Sequence, residues 1–221
     1  QGSAKAILPH GGAVPEVVFL NTSGGLTSGD RLSYQANLGA GVRAVATTQT
    51  AERAYLARDG VAEVSVRHQV GAAGWLDWLP QETILFQGAA LSRTTRVDLA
   101  VGAGCLLLEA VVLGRAAMGE TVATLRFADR REVWQVGRPR LVEPLRLDDA
   151  ALASGKAGLD GARAFASIAM VAQGAEDAVG AVRAIIAALD FPVLSSLGFT
   201  EADLDRLADA ALDDFFITMA P

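Results

Sequence analysis

Three glycine-bearing turns recur at a nearly constant interval and constrain the fold more than any other feature. They are Leu38-Gly39-Ala40-Gly41, Val70-Gly71-Ala72-Ala73-Gly74 and Val101-Gly102-Ala103-Gly104, and Gly39, Gly71 and Gly102 lie 32 and 31 residues apart. Each joins two strand-like stretches. A strand–turn–strand unit that returns every thirty or so residues suggests stacked β layers, each burying its apolar face on the next. The same spacing also fits three unrelated tight turns in an ordinary β-sandwich.

Around these turns the hydrophobic period is two. Ala62, Val64, Val66, His68 and Val70 alternate with Glu63, Ser65, Arg67 and Gln69, and Leu32, Tyr34, Ala36 and Leu38 alternate in the same way. That is the pattern of half-buried strands. Further strands are expected over 16–20, 42–49, 74–79, 94–101, 105–112, 121–127, 131–136 and 140–147, where β-branched and aromatic residues are bounded by Gly, Asp or Pro. The fold class expected is mainly β, with layered antiparallel and mixed sheets of β-helix-like character and two or so helices near the C-terminal end.

After residue 147 the period moves toward helix. Residues 174–189 read as one helix, with Ala178, Val182, Ile185, Ile186 and Leu189 on one face. Residues 200–215 read as another, opened by a capping pair of Thr200 and Asp203. Charge shifts at the same point: residues 1–146 carry a net +2 and residues 147–221 a net −8. The division expected is a β-rich domain over 1–188, with its N-terminal start missing, and an acidic helical tail over 189–221.

The chain is a 221-residue polypeptide with one cysteine, two histidines and a net charge of −6. One cysteine excludes an internal disulfide framework, and so few His and Cys do not make an ordinary structural zinc site. Acidity argues against nucleic acid as a partner. No uncharged apolar run approaches the ~18 residues of a membrane helix, so no membrane partner is expected. Cys105 lies in an apolar strand with no flanking cation and reads as an inert core thiol. His68 falls on the buried face of its strand, and no nucleophile–base pair can be assembled.

The string Asn21-Thr22-Ser23-Gly24-Gly25-Leu26-Thr27-Ser28-Gly29-Asp30 is the most unusual in the chain. It is neither a phosphate-binding P-loop nor a dinucleotide fingerprint, because no Gly-Lys-Ser/Thr follows and a strand replaces the required helix. It reads either as a structural turn or as a functional loop. Glu109 sits inside an apolar strand, where a carboxylate is costly unless paired. It reads either as the partner of Arg115 in a salt bridge or as part of a polar channel or transient ion site.

These strings resemble the urease accessory protein UreD (UreH) family. Leu20–Asp30, Thr47–Tyr55, Leu79–Phe86 and Gly114–Glu120 match its motifs in order, and the resemblance covers about residues 2–186. It implies a non-enzymatic, cytoplasmic chaperone for nickel insertion into apo-urease, binding UreF and through it the GTPase UreG. It implies no tightly bound cofactor, with nickel only in transit through interior tunnels. Asp30 and Glu109 match acidic positions linked to that route. Gly24, Gly25, Gly29, Glu52, Gln81, Glu82, Arg115, Gly119 and Glu120 are motif positions with partner-binding or structural roles. Carboxylates and water suit a metal that must be released, because thiolate or multi-histidine cages hold it too tightly. Residues 189–221 resemble the C-terminal tail of iron-dependent alcohol dehydrogenases, without that family's metal or nucleotide motifs. A degenerate or chimeric UreD, or a reductase-like enzyme, are the alternatives.

Overall fold

The computed structural model describes residues 2–188. The chain coils between two sheets. After β1 (Ala4–Ile7), it runs through β2 (Glu16–Asn21), β3 (Arg31–Leu38), β4 (Arg43–Thr48), β5 (Glu52–Ala54), β6 (Ala62–Val70), β7 (Trp75–Leu79) and β8 (Thr83–Leu85). It continues with β9 (Ala90–Leu99), β10 (Gly104–Leu113), β11 (Arg126–Gln135), β12 (Arg138–Asp148), α1 (Asp149–Ala153), β13 (Ala164–Val171) and α2 (Val179–Ala188). One sheet carries the order β1-β2-β4-β7-β10-β8-β5, with β13 also on β10; the other carries β12-β11-β9-β6-β3.

Successive passages through each sheet pair in parallel. Leu32 opposes Val64, Val64 opposes Arg93 and Arg93 opposes Asp129 in one sheet. Ala44, Leu76 and Cys105 stack in the other. This is a β-solenoid of about three turns, and the layered reading of the turn repeat holds. Parallel pairing dominates its interior. The antiparallel pairs β1–β2, β11–β12 and β10–β13 lie at the edges. The turns stack as well: Gly41 N–H donates to Ala72 O at 2.8 Å and Ala73 N–H to Val101 O at 3.0 Å. Gly71 has to be glycine, because a Cβ there would lie 2.6 Å from Ala40 N.

Alternation does the rest. The inward residues of both sheets, among them Phe19, Leu76, Trp78, Leu91, Leu107, Phe127 and Val133, form one buried core. Each such side chain contributes about 1.5–3 kcal/mol by leaving water. Long parallel stacks need helices or edge strands to cover their ends. β12 serves that purpose with Pro139, Pro144 and exposed arginines at its rim.

Several expectations are corrected. Residues 121–127 and 131–136 are not two strands; β11 is one strand from Arg126 to Gln135. Asp129 and Arg131, polar residues that broke the sequence pattern, point inward there and are paired. Helical periodicity after 147 does not hold throughout, since Ala164–Val171 is a strand on β10. The helix expected over 174–189 is a 3-10 turn at Ala175–Ala178 followed by α2. The described residues divide into one unit running to Gln173 and another from Gly174 onward. The helix expected over 200–215, and the rest of the tail, lie outside the described residues.

Candidate functional site

A polar seam runs between the two sheets. At its first level Glu52 on β5 accepts hydrogen bonds from Asn21 Nδ2 at 3.2 Å to both carboxylate oxygens, and from its neighbour Arg53 N–H at 3.1 Å. Glu52 and Tyr34 line two spaces at once. One is a surface pocket bounded by Asn21, Gly24, Gly25 and residues 48–53. The other is a pocket of about 40 Å³, partly open to solvent at Gln81, whose wall also includes the buried Trp78, Thr83, Arg93 and Glu109. Burial raises the Glu52 carboxyl above its ordinary range, and the Asn21 and Arg53 contacts pull it back. Burial and the Glu52 charge raise the Tyr34 phenol.

At the next level Arg93 on β9 reaches across to the opposite sheet. Its Nε and Nη2 form a fork on Asp129, at 3.0 and 2.7 Å. Its Nη1 lies 2.8 Å from Glu109 Oε2 but aims its N–H at Thr83 Oγ1, 2.9 Å away. Glu109 Oε1 accepts from Trp78 Nε1 at 3.0 Å, and Oε2 has no aligned hydrogen-bond donor among the described residues. Burial raises the Glu109 carboxyl, opposed chiefly by Arg93. Burial disfavours the Arg93 charge, but Glu109 and Asp129 more than offset it, so the guanidinium stays charged. Arg131 follows, its Nη2 2.5 Å from Glu143 Oε1, and Ser167 Oγ donates to the same oxygen at 3.4 Å.

The residues singled out in the sequence fall into two groups. Glu52, Gln81 and Glu109 line the second of these pockets. Gly24 and Gly25 line the surface pocket that shares Glu52. Asp30 instead closes the turn of its loop, its Oδ2 accepting Thr27 N–H at 2.8 Å, and it does not line the second pocket. Gly29 holds a positive φ of 74° in that turn. Glu82 joins β5 through its carbonyl, which accepts Glu52 N–H at 2.9 Å. Arg115, Gly119 and Glu120 build a separate turn, where Glu120 Oε2 accepts Arg115 Nε at 2.8 Å. The expected Glu109–Arg115 pair does not form: Arg93 pairs with Glu109, and Arg115 with Glu120.

His68 is fully buried and accepts Ala36 N–H through Nδ1 at 3.1 Å. Burial lowers it to about 4 and pushes the Cys105 thiol up to about 12, so neither is poised for chemistry at neutral pH. Sequence reading missed Arg93, Thr83, Asp129, Arg131 and Glu143. Their signal was parity: each occupies an inward position of its strand, and Thr83, Arg93 and Asp129 stand in register with Val111, Val64 and Leu145. Among the described residues, no three or more His, Cys, Asp or Glu side chains gather to hold a metal ion. No helix there is long and apolar enough to cross a membrane.

The described residues form a layered scaffold whose apolar core is crossed by a few paired polar side chains. The model of the UreD urease accessory protein family matches residues 1–211, and the chain belongs to that family. It is 65% identical over 189 residues to a urease accessory protein UreD of Cereibacter sphaeroides, covering 84% of this chain and 69% of the relative. A second C. sphaeroides UreD is 70% identical over 155 residues, covering 70% and 56%. The urease accessory protein UreD of Paracoccus denitrificans is 57% identical over 188 residues, covering 84% and 67%. The chain thus spans between just over half and about two thirds of the length of these curated relatives.

Proposed function

We propose that the chain serves urease maturation as a non-enzymatic scaffold and nickel conduit. It binds UreF, through UreF recruits the GTPase UreG, and docks with them on apo-urease in the cytoplasm. Nickel passes along the seam as cargo and is not retained as a cofactor. The observation that carries this reading is that Tyr34, Thr48 and Glu52 line both the Gly24–Gly25 pocket and a second pocket whose wall includes Arg93 and Glu109. The donors along it are oxygens: carboxylates, a phenol, hydroxyls and an amide. Such hard, neutral-to-anionic ligands hold a divalent ion weakly enough to release it. A space of about 40 Å³ accepts roughly one to three waters, so a partly hydrated ion fits. Asp30 stands at the outer loop, where its charge draws cations toward the pocket.

The remaining motif glycines and the Arg115–Glu120 turn shape the edge at which partners dock. Co-expression tests the scaffold: UreF co-purifies with this chain. Failure to co-purify, with the chain shown folded by circular dichroism, leaves a chimeric UreD without maturation activity. The conduit is tested by pairing Asp30→Ala with Glu109→Ala. Urease activation falls while the complex still assembles; unchanged activation removes these acids from the route.

A further inference from the structure

We propose that Asn21 sets how weakly Glu52 holds a cation: its side-chain amide occupies the open edge of the carboxylate, so an ion meets one oxygen, Oε2, and leaves again. The inference rests on the reading of the two pockets as a cation route, and it assigns release to a neutral side chain. Four observations carry it.

The first is geometry. Asn21 Nδ2 stands 3.2 Å from Glu52 Oε1 and 3.2 Å from Oε2. A donor equidistant from both oxygens lies on the edge where a metal ion would chelate the carboxylate, and its N–H groups turn positive partial charge toward that edge. The second is what remains. Oε1 also accepts Arg53 N–H at 3.1 Å, whereas Oε2 accepts from no further group among the described residues. The outer side of Oε2 is therefore the contact left for a cation.

The third is the orientation of the amide. Asn21 Oδ1 accepts Ser23 N–H at 3.1 Å, while Nδ2 faces only acceptors, the Glu52 carboxylate and Gly25 O at 3.3 Å. Turning the amide over would set Oδ1 against three acceptor oxygens, so the hydrogen-bond network fixes which end meets Glu52. The fourth is division of labour. The turn that opens the Gly-rich loop uses Oδ1, an acceptor that a shorter hydroxyl also supplies. The loop is joined to the end of β5 by backbone bonds, Leu26 N–H to Arg53 O at 2.7 Å and Tyr55 N–H to Leu26 O at 2.8 Å. Neither task calls for an amide nitrogen on Glu52. Asn21 and Glu52 line the Gly24–Gly25 pocket together, and Glu52 also lines the second pocket.

The test titrates nickel(II) into the full chain, with affinity read by calorimetry and release by stopped flow into a chelator. Asn21→Ser keeps an acceptor for Ser23 N–H and is too short to reach Glu52. Affinity about fivefold or more above the parent is expected, with release slowed by a similar factor, because the carboxylate then chelates. The same substitution on a Glu52→Gln background is expected to change neither. Equal affinity in parent and Asn21→Ser overturns the shield and leaves the route standing. Weaker affinity also overturns it, because the amide then supports binding. A gain that persists on the Glu52→Gln background overturns it too. No Glu52-dependent nickel binding in either chain overturns the route and the shield with it. Should Asn21→Ser not fold, the parent decides: the infrared difference between nickel-loaded parent and Glu52→Gln reads the Glu52 carboxylate stretches. The wide separation of one-oxygen coordination is expected, and the narrow separation of chelation overturns the shield.

Discussion

Arg93 and Glu109 come from opposite sheets and meet inside the solenoid at 2.8 Å, both almost completely buried. The contact joins the two sheets at the waist of the seam, but its partners are not equally committed. Arg93 is compensated twice, by Glu109 and by the Asp129 fork. Glu109 has the Trp78 N–H besides Arg93.

That asymmetry sets the order of two substitutions. Arg93→Ala strands two buried carboxylates and costs about 3–5 kcal/mol, the usual loss when one partner of a buried pair is removed. Glu109→Gln keeps an acceptor for Trp78 and leaves Arg93 on Asp129, so its cost is about 1 kcal/mol. Urea denaturation of both variants checks the order; equal losses would show that the fork on Asp129 does not hold Arg93 independently.

Gly24 and Gly25 are adjacent but not equivalent. Gly24 has a φ of 77° with nothing within 4 Å of an added Cβ, so Gly24→Ala carries only the conformational penalty, about 1 kcal/mol. At Gly25 the φ is 148°, and a Cβ would sit 2.4 Å from Tyr55 Cε2 and 2.7 Å from Arg53 O. Backbone cannot give way cheaply there. Gly25→Ala is expected to cost at least ~2 kcal/mol more than Gly24→Ala and to disturb the wall of the surface pocket. Thermal melts of the two variants decide it.

His68 makes stability depend on pH. Burial lowers it from 6.5 to about 4 in the folded chain. As pH falls through 6.5 the unfolded chain takes up a proton that the folded chain refuses until near 4. The contribution is therefore complete above 6.5 and is lost on the way down to 4, by about 3 kcal/mol. Glu52 and Glu109, both raised by burial, act in the opposite direction, favouring the folded state as they protonate. The difference between parent and His68→Gln isolates the histidine. It shrinks by about 3 kcal/mol between pH 6.5 and 4 in chemical denaturation, and a pH-independent difference would contradict it.

The layering was legible because it is written twice, in the spacing of Gly39, Gly71 and Gly102 and in period-two alternation. Both follow from local chemistry: turns need glycine and half-buried strands alternate. The carboxylates Glu52 and Glu109 were legible as charges at or inside strands. Their partners were not. Arg93 lies one residue before the point where its strand was expected to begin, and its contacts with Asp129 and Glu109 span 36 and 16 residues. Such pairings depend on register between layers, which alternation along one strand does not specify. The strand Ala164–Val171 was hidden because it is rich in alanine, which is depleted in strands.

Asp30 carries two properties that one pair of substitutions separates. Its Oδ2 accepts Thr27 N–H, which closes the loop ahead of β3, and it carries the negative charge that the proposed route assigns to nickel entry. Asn retains a side-chain acceptor for the turn and removes the charge, whereas Ala removes both. Asp30→Asn is expected to leave stability within about 0.5 kcal/mol of the parent, and Asp30→Ala to lose about 1 kcal/mol. If the charge serves nickel entry, urease activation falls in both variants, by a similar factor. Activation that falls only with Asp30→Ala would assign the residue to the turn alone and move the entrance of the seam inward to Glu52.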